Sequence, residues 1–211
     1  MTFVSQRSRL ALAIDRELGP FDPRLLDALA VVPRERFVRP EDIERSAEDL
    51  PLPLDVEGLA TISAPHAYLL SFRLLALGPG DTLLEFGTGS GYGAALAAHI
   101  VGPQGRVVTM EIDAVLAAWA RRTLADAPNV EVREGDATSA GSALPPAEKV
   151  VVTFAVGALP GAWLAALPEG GRLVAPVGGR EQKLVMATKR HGAVAQTTHA
   201  SVRYVKNRSG S

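Results

Sequence analysis

Four glycines fall at alternate positions in Leu83-Leu-Glu85-Phe-Gly87-Thr-Gly89-Ser-Gly91-Tyr-Gly93, between an apolar run and an alanine-rich one. The apolar run, Thr82–Phe86, reads as a buried strand, and Tyr92–Val101 reads as a helix. Glycines at such a junction let the backbone turn sharply and approach a ligand closely, and the helix start presents N–H groups to it. A strand, a glycine turn and a helix commit the chain to a parallel sheet, because a helical crossover returns the next strand alongside the first. The sequence downstream keeps that rhythm. Strands are expected at Arg106–Met110, Val130–Arg133, Lys149–Thr153 and Arg172–Pro176, with helices from Asp113 to about Ala125 and around Gly161–Leu167. The pattern predicts an α/β, doubly wound, mostly parallel sheet of the Rossmann-like kind. Lys183–Lys189 and Val194–Val205 follow as consecutive strands, so an antiparallel C-terminal edge is expected.

Residues 1–78 have another texture. Val4, Leu10, Ala11, Ile14 and Leu18 recur at helical spacing, and Asp22-Pro23 opens a short helix carrying Leu25, Leu26 and Leu29. Pro33 ends it, and Pro40 starts another short piece. Pro51 and Pro53 forbid helix, so Asp49–Gly58 reads as an irregular loop. Ser63-Ala64-Pro65 is expected to cap a helix running to about Leu77, before the break at Gly78-Pro79-Gly80. One compact domain is therefore expected, with a helical extension over 1–78 and the core over 79–211. The tail Asn207–Ser211 is expected to be loose.

Charge and composition narrow the function classes. Across 211 residues, 22 Lys and Arg face 23 Asp and Glu, a net charge of -1. That balance argues against nucleic acid and anionic membrane surfaces as partners, both of which select cationic chains. There are no cysteines, which excludes disulfides, thiolate metal sites and a Cys nucleophile. The four histidines form no metal-ligand spacing. Charges at Arg7, Arg9, Arg16 and Glu17 interrupt any leader-like apolar run, and no stretch approaches the roughly 20 apolar residues that span a bilayer. A cytoplasmic protein is expected.

Two cofactor classes use a glycine turn of this kind. The dinucleotide pattern G-x-G-x-x-G/A is met by Gly89, Gly91 and Ala94. The S-adenosylmethionine pattern, acidic-x-G-x-G-x-G, is met by Glu85, Gly87, Gly89 and Gly91, with Thr88 and Ser90 between the glycines. Charge favours the second: a carboxylate just before the turn repels a pyrophosphate but suits the ammonium of a methionine moiety. Glu111, twenty residues beyond Gly91, stands where an acid reaches ribose hydroxyls in either class. Asp136-Ala137, after the third strand, is placed to meet an adenine amine and ring edge.

Several further segments occur in order: Val32-Pro-Arg-Glu-Arg-Phe-Val38, Ala60-Thr-Ile-Ser-Ala-Pro-His66, the glycine turn, Gly170-Gly-Arg-Leu-Val-Ala-Pro-Val-Gly178 and Val202-Arg-Tyr-Val205. On these the chain resembles the protein-L-isoaspartate O-methyltransferases over nearly its whole length. The resemblance implies a class I methyltransferase using S-adenosyl-L-methionine, with S-adenosyl-L-homocysteine as product. The implied acceptor is the free α-carboxyl of an L-isoaspartyl residue in a damaged peptide, whose ester collapses to a succinimide and hydrolyses partly to aspartate. It also implies that Ser63, helped by Thr61, positions the acceptor, and that 1–78 forms part of the acceptor site. No base is needed, because a carboxyl with pKa near 4 is already ionised at neutral pH; His66 is accordingly read as a packed or cofactor-edge residue. Three acceptor-side segments depart from the family's pattern: Asp55-Val-Glu-Gly-Leu59, Phe154-Ala-Val-Gly157 and Val205-Lys206. The alternative they leave open is a relative that methylates an aspartate of one dedicated peptide; a catalytically silent binding module is a third reading. A monomer is expected.

Overall fold

The computed structural model describes residues 2–139 and 144–206; the expectation for Asn207–Ser211 lies outside them. Helix α1 (Phe3–Leu18) turns Ala11 and Ile14 inward. Helix α2 (Pro23–Val31) starts at Asp22, whose carboxylate accepts from the Arg24 N–H at 2.9 Å, with Pro23 in the first turn. Two 3-10 turns, Arg34–Arg36 and Pro40–Arg45, lead into the proline-rich segment. That segment is not wholly irregular: β1 (Leu52–Pro53) pairs antiparallel with β2 (Thr61–Ile62). Proline excludes helix there, yet a two-residue edge ladder tolerates a missing N–H. Helix α3 (Pro65–Leu75) also corrects an expectation. Its cap residue is Ala64, with no side-chain capping bond, so Ser63 does not cap it.

From residue 82 the expected alternation follows: β3 (Thr82–Phe86), α4 (Tyr92–Val101), β4 (Arg106–Glu111), α5 (Ala114–Thr123), β5 (Val130–Glu134), β6 (Lys149–Val152), α6 (Gly161–Ala166) and β7 (Arg172–Gly178). The hairpin β8 (Gln182–Arg190) and β9 (Ala193–Val202) completes a seven-stranded sheet of order β5-β4-β3-β6-β7-β8-β9. Strands β3 to β7 run parallel, while β8 and β9 each run antiparallel to their predecessor.

Strand alternation divides the core in two. Leu83, Val107, Val151 and Val174 face one side, in one apolar cluster with Ile14, Leu29, Phe72, Leu96 and Leu116 from α1 to α5. Leu84, Val108, Val152 and Leu173 face the other, packed with Trp163 and Leu167 beside α6. The N-terminal helices thus share an apolar cluster with the sheet. Strand order reverses at β3, which has β4 on one flank and β6 on the other. Open α/β sheets form their ligand crevice beyond the carboxyl ends of the strands at such a reversal. No described helix is long and apolar enough to cross a membrane.

Candidate active site

A cleft opens at that reversal, holding about 590 Å³ of space between the atoms, its open mouth included. Its floor comes from the ends of four parallel strands: Gly87 and Gly89 after β3, Glu111 at the end of β4, Asp136 and Ala137 after β5, and Thr153 and Phe154 after β6. The opposite wall is made of Leu59, Ala60 and Thr61 with Val205 and Lys206.

The glycine turn is shaped by left-handed backbone. Gly87, Gly89 and Gly91 have φ of 92°, 56° and 97°, a region costly for any residue with a Cβ. The turn is tied to its neighbours on both sides. The Gly87 N–H donates to the Met110 carbonyl at 2.9 Å, and Thr153 Oγ1 donates to the Gly87 carbonyl at 2.5 Å. A Cβ on Gly87 would lie 2.3 Å from that same Thr153 oxygen. Glu111 joins the turn directly: its Oε2 accepts from the Gly89 N–H at 2.7 Å and its Oε1 from the Asp113 N–H at 3.1 Å. Burial pushes the Glu111 carboxyl up, against these two N–H bonds. A carboxylate has roughly four acceptor sites, so Glu111 keeps capacity for hydroxyl donors. Ala137 is fixed from behind, its carbonyl accepting from Trp163 Nε1 at 2.9 Å.

Glu85 is placed differently from the expectation. In the pleat it shares the face of Leu83 rather than that of Phe86, which turns it under the turn towards α3 and α4. There its Oε2 accepts from Thr109 Oγ1 at 2.6 Å, and Thr109 is in turn 2.6 Å from Thr88 Oγ1. A Cβ on Gly93 would sit 2.2 Å from Glu85 Oε1, so the glycine at 93 makes room for this carboxyl. Burial, with Glu111 nearby, pushes Glu85 up to about 8. At neutral pH it is a neutral brace beneath the turn and does not line the cleft.

On the opposite wall Thr61 lines the cleft, while Ser63 lies just beyond β2 and is nearly buried. Ser63 is gripped through its backbone: its N–H donates to Tyr68 Oη at 3.2 Å and its carbonyl accepts from Arg34 Nη2 at 3.1 Å. Arg34 escapes sequence reasoning altogether. It is 1% exposed, and its guanidinium donates also to the carbonyls of Ser46, Glu48 and Leu50 at 3.1, 3.0 and 2.8 Å. Burial lowers its pKa, opposed by the neighbouring Tyr92, Tyr68, Asp49 and Glu48. The only sequence signal for this hub is a basic residue inside the Val32–Val38 motif. His66 pairs with Asp49, Nδ1 lying 3.0 Å from its carboxylate, and stays out of the cleft.

Of the residues singled out in sequence, the cleft gathers Thr61, Gly87, Gly89, Glu111, Asp136 and Ala137. Thr88, Ser90, Gly91, Glu85 and Ser63 support it from behind or beside. No group of three potential metal ligands occurs among the described residues.

The family model for protein-L-isoaspartate(D-aspartate) O-methyltransferase matches residues 11–211. The chain belongs to this family. Two protein-L-isoaspartate O-methyltransferases illustrate the relation. The one numbered 2 from Archaeoglobus fulgidus is 38% identical over 97% of this chain and 94% of its own. That of Methanoregula boonei is 40% identical over 83% of this chain and 79% of its own. A solved protein-L-isoaspartate O-methyltransferase superposes on 95% of this chain with TM-score 0.85 and 26% identity, and this chain spans 65% of that one's length. A Plasmodium falciparum chain described as a beta-aspartate methyltransferase, solved in complex with S-adenosyl-L-homocysteine, gives TM-score 0.83 over 95% of this chain and 97% of its own. At 21% identity that second likeness carries the fold alone.

Proposed function

We propose that this family member is an S-adenosyl-L-methionine-dependent carboxyl O-methyltransferase acting on L-isoaspartyl residues of damaged proteins or peptides. One observation carries the reading: the glycine turn, Glu111 and Asp136-Ala137 converge in a single cleft whose other wall presents Thr61. The cofactor fits what is present. The cleft offers backbone at Gly87 and Gly89 for close approach. Glu111 would accept from ribose hydroxyls and Asp136 from the base amine, with Ala137 against the ring. Thr88, Ser90 and Gly91 complete the turn that Glu85 braces. When bound, S-adenosyl-L-methionine supplies an electrophilic methyl group, with S-adenosyl-L-homocysteine as the product.

The chain's remaining task is positioning. A carboxylate ionised at neutral pH needs no base, consistent with His66 being committed to Asp49. Alignment and exclusion of water are what the site must provide. Thr61 and Ser63 orient the acceptor carboxylate, Arg34 and Tyr68 hold the Ser63 backbone in place, and Leu59, Ile112 and Phe154 supply apolar cover. In this reading 1–78 contributes the acceptor wall and 79–211 the cofactor half, and the protein works as a cytoplasmic monomer.

The test uses matched isoaspartyl and aspartyl peptides with methyl-labelled cofactor. Label should enter the isoaspartyl peptide and leave as methanol at mildly alkaline pH, as a methyl ester does. A base-stable label would overturn carboxyl transfer. Label confined to the aspartyl peptide would mean a dedicated aspartate methyltransferase instead.

A further inference from the structure

We propose that Lys206 reads a second carboxylate on the acceptor, so that the enzyme favours isoaspartyl sites next to an acidic residue. The inference rests on the function proposed above and narrows its substrate.

Charge in the cleft is unevenly distributed. Its acids, Glu111 and Asp136, lie on the cofactor half, and Lys206 is the one cationic residue among those described as lining it. Lys206 stands on the wall with Leu59, Ala60 and Thr61. Its backbone is anchored there: the Ala155 N–H donates to the Val205 carbonyl at 2.8 Å, and Ala155 and Lys206 form a parallel bridge. The pinned backbone roots the lysine at the rim of the cleft, and its flexible stem sets how far the charge reaches.

Among the described residues Lys206 has no ion pair, whereas Arg39, whose guanidinium reaches the Asp55 carbonyl beside the same wall, is committed to Glu41. An ammonium at the mouth of a partly apolar cleft attracts anions more strongly than one on an open surface. The reacting carboxylate is not the natural taker. In the proposed reaction Thr61 and Ser63 already orient it, and the sulfonium is already its counter-charge. A neighbouring Asp or Glu side chain of the same peptide has neither constraint. An ammonium is a compact point charge on a flexible stem, suited to a single carboxylate at variable reach.

The test compares three isoaspartyl peptides identical except for one flanking residue, which is acidic, neutral or basic. Specificity (kcat/KM) and, separately, the affinity of the S-adenosyl-L-homocysteine-loaded protein for fluorescent versions are measured. The wild type should favour the acidic over the neutral peptide roughly three- to tenfold at low ionic strength, a preference that shrinks as salt screens the charge. Lys206→Gln should bring that ratio close to one, and Lys206→Glu should invert the order in favour of the basic peptide. Melting temperatures of both variants confirm that the comparison is between folded proteins. A wild type that methylates all three peptides with ratios that neither Lys206→Gln nor Lys206→Glu changes would overturn the role of Lys206 and leave the isoaspartyl function standing. A wild type that methylates none of them would overturn that function and this inference together.

Discussion

Two residues shift their meaning once the backbone is in view. Glu85 reads in sequence as a charged ligand for the cofactor, but pleat parity places it beneath the turn, where burial pushes its carboxyl up. Unfolded, its carboxyl titrates near the ordinary 4.5; folded, it titrates at about 8. Between those values the native state holds a proton that the unfolded state has released, so stability is fully present below the lower value, falls as pH rises, and levels off above the upper one. Glu85→Gln keeps the shape without the titration. Its melting temperature should therefore vary less than that of the wild type from about pH 5 to about pH 9, and an unchanged slope would place the effect elsewhere. Ser63 changes in the opposite sense, from a residue with a capping alternative to one without it. Its contact to Arg34 runs through the carbonyl, which alanine retains, while that to Tyr68 involves the backbone N–H and also the side chain. Ser63→Ala should cost about 1 kcal/mol of stability or less while turnover of the folded variant on an isoaspartyl peptide falls roughly ten- to a thousandfold, the range for a lost transition-state contact. A lower melting temperature with intact turnover would make the hydroxyl structural.

Elements were legible where their signal is local. The glycine turn, β3, α4 and the run from β4 to β7 follow from periodicity and punctuation, and Glu111 and Asp136 were legible because they stand at strand ends. What was hidden depends on contacts across the chain. The β1–β2 ladder needs its partner strand to be seen, and Arg34 reaches carbonyls 12 to 29 residues away, beyond any local pattern. The end of α3 shows the same limit. Ala76 closes that helix in left-handed backbone with φ 50°, where glycine is the usual residue. The strain of a Cβ there is about 1 kcal/mol or more, offset in part by the extra freedom glycine gives the unfolded chain. Ala76→Gly should stabilise the protein by roughly 0.5–1 kcal/mol, read from chemical denaturation, and destabilisation would show that the Ala76 methyl packs more usefully than its backbone suggests.

At the scale of the molecule, the cleft has no independent existence. Its walls come from residues 59–61, 87, 89, 110–112, 116, 135–137, 153–154 and 205–206, stretches that meet only when the whole sheet is assembled over the N-terminal helices. Because an unfolded chain presents none of that surface together, a ligand in the cleft can bind the native state alone. Every occupied cleft then withdraws a molecule from the unfolding equilibrium, by about 2.7 kcal/mol when free ligand is a hundredfold above its Kd. Molecules caught empty are the ones that proteases and aggregation can reach. In a cell, the supply of methyl donor would therefore govern how long each copy of this protein lasts as well as how fast it works.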